Sequence, residues 1–479
     1  MALKANKDVL DFDGLLSAVR HRAQFIAAEA EGIPVGSFVS VLADRSVDSA
    51  VNILACLAGR IPFGLINPES PAERQRLLHE KLGGFPLVLG SSQHTQGDFH
   101  FDGARLLRPR LSFSEASWPN SERDGSNPGL VLFTSGSTGI PKGAVWSFDT
   151  IATRVDMAAT RMSLVDGEAR IPNLNPLYWV SGLNTLNLTM FGASVKFIDP
   201  MILQPSEIVQ QIAEFSPTQI TLGPHMARIV ADAVAGRGLL FPDLVKVATG
   251  GDVGRFEFFQ GLREAVRPQT ELAHFFGSTE AAQSFAYSTT FGTMPRSGQI
   301  PLGAICDPET LHLEPFDGER FAIWRSGPIL SEYVRDDALN TAHFDVDQNG
   351  VRWWKSEDLV RYQGDNQWIF DCRLTDLREA PETTTSSAVI QELLADHPKI
   401  AASLVLWNNS EGRESFVAHI EPLPDGLLSE EEVRTHLEAG VPHGAIIGQF
   451  VFHHRLPSNE RGKVDRIALN KQLTTVKEG

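Results

Sequence analysis

From about Leu15 to Val195 the chain alternates helical periods with short β-rich runs, and no other feature narrows its possible folds as much. The segment Asp48 to Leu57 carries an apolar helical face, Pro62-Phe63-Gly64-Leu65-Ile66 follows as a strand, and Asn67-Pro68 closes it as a turn. Repetition of that unit predicts parallel βαβ architecture. A second α/β stretch runs from about Pro200 to Gln299, with Gln219-Ile220-Thr221-Leu222 and Leu244-Val245-Lys246-Val247-Ala248 as buried strands. Beyond Gly298 the runs shorten, as in Arg320-Phe321-Ala322-Ile323-Trp324 and Val351-Arg352-Trp353-Trp354, between Asp, Asn and Gly turn signals. They predict a small antiparallel, barrel-like subdomain. The polar stretch Arg378 to Ser387 then separates a final α+β portion that holds Ser415 to Ile420 and the helical Ser429 to Leu437. The expected fold class is α/β, with a large N-terminal domain of two αβ sheet layers plus a small β-barrel, and a C-terminal α+β domain.

At 479 residues the chain is too long for one core. A formal net charge of -17 repels phosphate backbones, so nucleic acid is not an expected partner and an anionic substrate needs a local basic or amide-lined site. Cys56, Cys306 and Cys372 stand far apart without metal-ligand spacing, which argues against a disulfide framework or a zinc site and fits a reducing cytoplasm. The opening MALKANKDVLDFDGLL has acids where a signal peptide needs an apolar run, and no stretch reaches the roughly 20 apolar residues of a membrane span.

The strongest chemical signal is Thr134-Ser135-Gly136-Ser137-Thr138-Gly139-Ile140-Pro141-Lys142-Gly143, directly after the apolar run Leu130-Val131-Leu132-Phe133. Glycines let backbone N–H groups approach an anion, the hydroxyls add donors, and Lys142 supplies a cation able to follow β- and γ-phosphates. It is not a Walker loop, because Lys142 sits between Pro141 and Gly143 instead of opening a helix with Ser or Thr.

This string resembles the signature of the adenylate-forming superfamily of acyl-CoA synthetases, luciferases and peptide-synthetase adenylation domains, and the likeness extends from about residue 15 to residue 470. The resemblance implies a second string, which Phe276-Gly277-Ser278-Thr279-Glu280 supplies: Phe276 against adenine, Thr279 on the α-phosphate and Glu280 on Mg²⁺. Ser356-Glu357-Asp358-Leu359 is similar to the segment whose Asp accepts from both ribose hydroxyls, and Asp371-Cys372-Arg373 to the pair whose Arg reinforces that grip. Glu357 and Cys372 replace glycines of the family pattern. Leu456 to Arg466 resembles the closing motif, with Lys463 in the place of the catalytic lysine that stabilises charge as pyrophosphate departs.

The likeness further implies that Asn175 to Leu183, with Tyr178 and Trp179, and Ala248 to Asp252, with Thr249, Gly250 and Gly251, wall the acid pocket. Thr221, His225 and Phe275 are weaker candidates. No acid stands beside Tyr178 and Trp179 to hold an α-ammonium, which favours an aryl or apolar acid over an amino acid. The stretch Leu374 to Thr383 lacks the Lys and Gly that CoA-using relatives carry after the Arg, leaving CoA and a carrier-protein phosphopantetheine both open as acceptor. By the same resemblance, residues 1–373 form the ATP- and acid-binding domain and 374–479 a mobile lid that turns at Thr375, with the active site between them. The expected activity is ATP- and Mg²⁺-dependent conversion of a small carboxylic acid to an acyl-adenylate, then transfer to CoA. An acyl-AMP ligase that loads a carrier protein, and a degenerate nucleotide-binding scaffold, are the alternatives.

Overall fold

Ser46 accepts the Ser49 amide (3.1 Å) and opens the helix Val47–Ala58, while Ser147 accepts the Thr150 amide (3.1 Å) and opens Phe148–Arg161. In the computed structural model the described residues are all except 6–7, 93, 95–103, 109–110, 112–116, 120–122, 135–140, 165–168, 375–376, 380–383, 396, 411–412, 424–426, 439–446, 458–463, 467 and 470–479. The chain divides into two units, Met1–Arg296 with Arg325–Trp354, and Ser297–Trp324 with Lys355–Gly479.

In the first unit a seven-stranded sheet runs in the order Glu332–Tyr333, Lys142–Ser147, Pro128–Thr134, Phe63–Ile66, Val39–Leu42, Leu87–Leu89, Arg105–Leu107. Its five later members are parallel, as the βαβ rhythm predicts. Lys142–Ser147 and Glu332–Tyr333 instead add in antiparallel sense. For Lys142–Ser147 the reason is length: a parallel return needs a crossover of a dozen or more residues, and between Thr134 and Lys142 the chain has too few.

The second layer begins at the amino terminus. Leu3–Ala5 lies parallel to Ser194–Phe197, which pairs in turn with Arg170–Asn173, and Ala2 and Leu3 are fully buried. The polar look of the opening residues conceals this strand and Asp8–Leu10, which pairs with it antiparallel, because each is only three residues long. The Thr218 amide donates to the Arg170 carbonyl (3.0 Å), joining this sheet to Gln219–Thr221, Lys246–Gly250, Glu271–Ser278 and Ala282–Thr290. Two αβ layers result, as expected.

In the second unit the antiparallel pair Arg352–Gly364 and Gln367–Arg373 continues from Lys355, with Phe321 packed edge-on to Trp368 at 5.3 Å. Leu377–Glu379 and Thr384–Ser386 pair antiparallel, so the stretch read as a polar separator contains a hairpin. Its alternation is hidden by Pro381 and by a run of residues with no apolar face. A three-stranded sheet, Ile400–Ser410, Arg413–Pro422 and Ile447–Phe452, carries the helices Ser387–Ala395 and Glu430–Glu438 over a core of Ile390, Leu394, Val405, Phe416, Ile420 and Val433.

His419 is buried in that sheet, its Nδ1 2.9 Å from His453 Nε2. Burial, and to a lesser degree His453, hold its pKa down to about 4. The unfolded chain therefore binds the proton more readily than the folded one between pH 6.5 and 4. Stability contributed by the neutral ring is complete above pH 6.5 and falls as the pH drops, by on the order of 2 to 3 kcal/mol. Thermal melts at pH 7.5, 5.5 and 4.5 check this; His419→Gln should flatten the decline, and an unchanged slope in that variant would disprove the assignment.

Candidate active site

Thr134 ends one strand and Lys142 begins the next, opposite one another across the hairpin. The residues between them in the phosphate string, Ser135, Gly136, Ser137, Thr138, Gly139 and Ile140, lie outside the described residues. The exit is anchored, since Lys81 Nζ donates to the Pro141 carbonyl at 3.0 Å. At Gly143 a β-carbon would stand 2.5 Å from Val334, so the strand that carries Lys142 packs too closely there for a side chain.

Phe276, Gly277, Ser278, Thr279 and Glu280 form the end of the strand Glu271–Ser278 and the turn into Ala282–Thr290. A β-bulge falls between Phe276 and Gly277. At Gly277 a β-carbon would lie 2.1 Å from the Ala282 carbonyl oxygen, so only glycine permits this close return. The Ser278 hydroxyl accepts the Ala281 amide (3.0 Å), leaving Thr279 and Glu280 at the tip, both half-buried. The Phe276 ring tilts against Phe285 at 6.0 Å. Tyr333 Oη stands 3.4 Å from Glu280 Oε1. A hard cation shared between one carboxylate and phosphate oxygens suits this donor set. Among the described residues no group of three or more His, Cys, Asp or Glu side chains is placed to hold a metal without such a ligand.

Tyr178 and Trp179 are half-buried and meet edge-to-face at 6.0 Å, directly before the helix Val180–Asn187. Asn175 ties this segment to the second layer through the Thr221 carbonyl (3.4 Å), and His225 is exposed in the first turn of Pro224–Val234. Strand alternation places Ala248 and Gly250 on one sheet face, with Phe275 opposite Gly250. Ala248 and Phe275 join an apolar cluster with Ile171, Leu188, Met162 and Ala159. Gly250 must be glycine, because a β-carbon there would lie 2.3 Å from the Phe275 carbonyl oxygen, and Gly251 takes φ +82°. Thr249 lies on the other face opposite His274, both 1% exposed. Burial lowers the His274 pKa to about 4, so its ring is neutral.

In the second unit Asp358 and Arg373 are direct cross-strand partners, with Nε and Oδ1 3.3 Å apart. Ser356 Oγ accepts the Asp358 amide at 2.9 Å. Glu357 and Cys372 sit in strands without positive φ, Cys372 buried opposite Leu359 beside a register shift in the ladder, so the backbone conformation at neither position demands the glycine it replaces. Asp371 is buried and bound by Arg361 Nε at 2.6 Å, which makes it a structural anion. Lys463 and Thr375 lie outside the described residues.

A family model for AMP-binding enzymes matches residues 2–332. The chain belongs to the AMP-binding enzyme family. Within this family, L-proline–[L-prolyl-carrier protein] ligase of Pseudomonas fluorescens is 25% identical across 98% of this chain and 96% of its own length. Bacitracin synthase 2 of Bacillus licheniformis is 20% identical across 92% of this chain, which spans only 17% of that protein. Among solved structures, O-succinylbenzoate coenzyme A synthetase of Bacillus subtilis, in complex with ATP and magnesium ion, aligns with a TM-score of 0.79 at 19% identity, over 98% of this chain and 96% of that one. That likeness shows the adenylate-forming fold. The AMP-binding match begins at residue 2, just before the buried amino-terminal strand Leu3–Ala5, and not near residue 15.

Sequence reasoning missed Arg154 and Tyr333, both in contact with the Thr279–Glu280 turn. Arg154 does carry a signal, a lone cation within the apolar stripe of its helix. Tyr333 carries none, because a tyrosine in a short strand is ordinary.

Proposed function

We propose that this chain activates a carboxylic acid with ATP and Mg²⁺ as an acyl-adenylate and then passes the acyl group to a thiol. The observation that carries the reading is the Thr279–Glu280 turn: a carboxylate held at the tip of a hairpin by a buried tyrosine and a clamped backbone. Its strand also contributes Phe275 opposite Gly250. The substrate carboxylate oxygen attacks the α-phosphorus and pyrophosphate leaves, so no enzyme nucleophile is required. In this reading Thr134 to Gly139 and Lys142 hold the triphosphate, Thr279 the α-phosphate, Phe276 and Gly277 the adenine, Asp358 and Arg373 the ribose, and Lys463 offsets charge on the departing group. When bound, Mg²⁺ neutralises phosphate charge, with Glu280 as its protein ligand. Residues 1–373 and 374–479 are proposed as the adenylation and lid domains.

The leading acceptor is CoA. A carrier-protein arm is the second reading, favoured by the near full-length match to a prolyl-carrier-protein ligase and by the stretch Leu374–Thr383, which lacks the Lys and Gly that the family resemblance implies for CoA users. ATP–pyrophosphate exchange over a panel of aryl, fatty, dicarboxylic and amino acids tests the first step. Exchange with one class supports the ligase, and thioester formation from free CoA then separates the acceptors. Bound ATP without exchange for any acid would leave a nucleotide-binding scaffold.

An aryl or apolar acid is favoured, since no carboxylate stands beside Tyr178 and Trp179 in the sequence, and the half-buried Phe275, which packs on the apolar cluster around Ala248, is taken to wall its pocket. Phe275→Ala should shift the kcat/KM ratio of bulky to small acids by about tenfold, the usual yield of reshaping an apolar pocket. An unchanged ratio would place Phe275 outside the pocket.

A further inference from the structure

The helix Phe148–Arg161 buries Phe148, Ile151, Arg154, Val155 and Ala159, so Arg154 occupies a place its periodicity reserves for an apolar residue. At 5% exposure its guanidinium has exchanged water for main-chain carbonyls. Nη1 donates to Thr279 (2.8 Å), Nη2 to Glu280 (2.8 Å) and Nε to Pro328 (3.0 Å). The Trp146 ring covers the guanidinium at 4.0 Å while its own Nε1 donates to the Thr279 carbonyl (3.0 Å). The Glu280 carbonyl receives a second bond from the Leu330 amide (2.7 Å). Two successive carbonyls of the turn are thus each held by two donors, which fixes the peptide planes from which the Glu280 side chain springs. On the other side Trp354 Nε1 donates to Tyr333 Oη (3.2 Å), and Tyr333 Oη reaches Glu280 Oε1.

We propose that Arg154 and Tyr333 are positioning residues, Arg154 setting the backbone and Tyr333 the carboxylate, so that Glu280 is aimed at the metal of a bound nucleotide before that nucleotide arrives. The inference rests on the adenylation reading above. Burial, opposed by the Glu280 charge and supported by Arg325 and Arg161, lowers the Arg154 pKa to about 9, and the group stays cationic at neutral pH. A lysine cannot replace it, since one ammonium lacks the planar fork that reaches three separated carbonyls. The turn would nonetheless survive, because Thr279 keeps Trp146 and Glu280 keeps Leu330.

The test is calorimetric binding of ATP with Mg²⁺ and of ATP with EDTA to wild type, Arg154→Lys and Tyr333→Phe, beside the Mg²⁺ titration of pyrophosphate exchange. The expected result is a preference for the Mg²⁺ form that falls about fivefold or more in Arg154→Lys and about threefold in Tyr333→Phe, with metal-free ATP affinity within twofold of wild type. Half-saturating Mg²⁺ in the exchange should rise in parallel. Equal losses of both affinities, or a preference unchanged in both variants, would overturn the inference and leave Arg154 a packing residue. Tyr333→Phe keeps the ring, so it reads the effect even if Arg154→Lys folds poorly. Absence of exchange in the wild type would instead sink the adenylation reading, and this inference with it.

Discussion

Lys463→Ala is expected to slow ATP–pyrophosphate exchange by about 10² to 10³-fold, equivalent to on the order of 3 to 4 kcal/mol of transition-state stabilisation. The size follows from timing: negative charge on the pyrophosphate grows only as the bond to the α-phosphorus breaks, so a cation aimed there favours the transition state over bound ATP. A chain with net charge -17 supplies no general positive field in its place. The segment ends that flank Lys463 are anchored independently of it. The Asp465 amide donates to the Pro457 carbonyl (2.7 Å), the Leu456 amide to Glu421 (2.9 Å), and Leu456 and Leu469 pack with Leu404 and Leu406. The variant should therefore melt with the wild type and bind ATP normally. Full exchange activity in Lys463→Ala would remove the lysine from the mechanism.

Glu280→Gln carries the second large effect, a loss of about 10²-fold in exchange at low millimolar Mg²⁺ that is partly recovered at high Mg²⁺. Glutamine preserves the shape and leaves an oxygen for Tyr333 Oη, and the main-chain bonds from Arg154 and Leu330 are untouched. What disappears is one negative charge, the feature a hard divalent cation selects. A Mg²⁺ titration of exchange decides it. Half-saturation equal to that of the wild type would show that Glu280 holds no metal, and the resemblance of its string would then mark only a shared turn shape.

The strings that resemble the family motifs stood out because they combine particular residue types in a short span. Gly277 and Gly250 show why: each lies where a β-carbon would meet a carbonyl oxygen at 2.1 and 2.3 Å, so the sequence must write glycine there. The strands Gln219–Thr221 and Lys246–Gly250 and the helices Val47–Ala58 and Glu430–Glu438 also followed from apolar period and turn signals. Two elements did not. Leu3–Ala5 is too short to show a period, and becomes a strand because Ser194–Phe197 offers it an edge. The hairpin Leu377–Ser386 likewise exists by pairing and not by apolar pattern.

By itself, then, the sequence determined the αβ layering, the order of the motif-like strings and the adenylate-forming resemblance, since these depend on local period and on residues near one another in the chain. Tertiary structure alone decided what stands behind those strings. Arg154 lies more than a hundred residues before the Glu280 carbonyl it binds, and Tyr333 more than fifty after the carboxylate it touches. Such partners are set by which strands lie side by side. The physical reason is that a buried guanidinium or phenol is satisfied by whatever carbonyl or carboxylate the fold brings within about 3 Å, a distance that no spacing along the chain encodes.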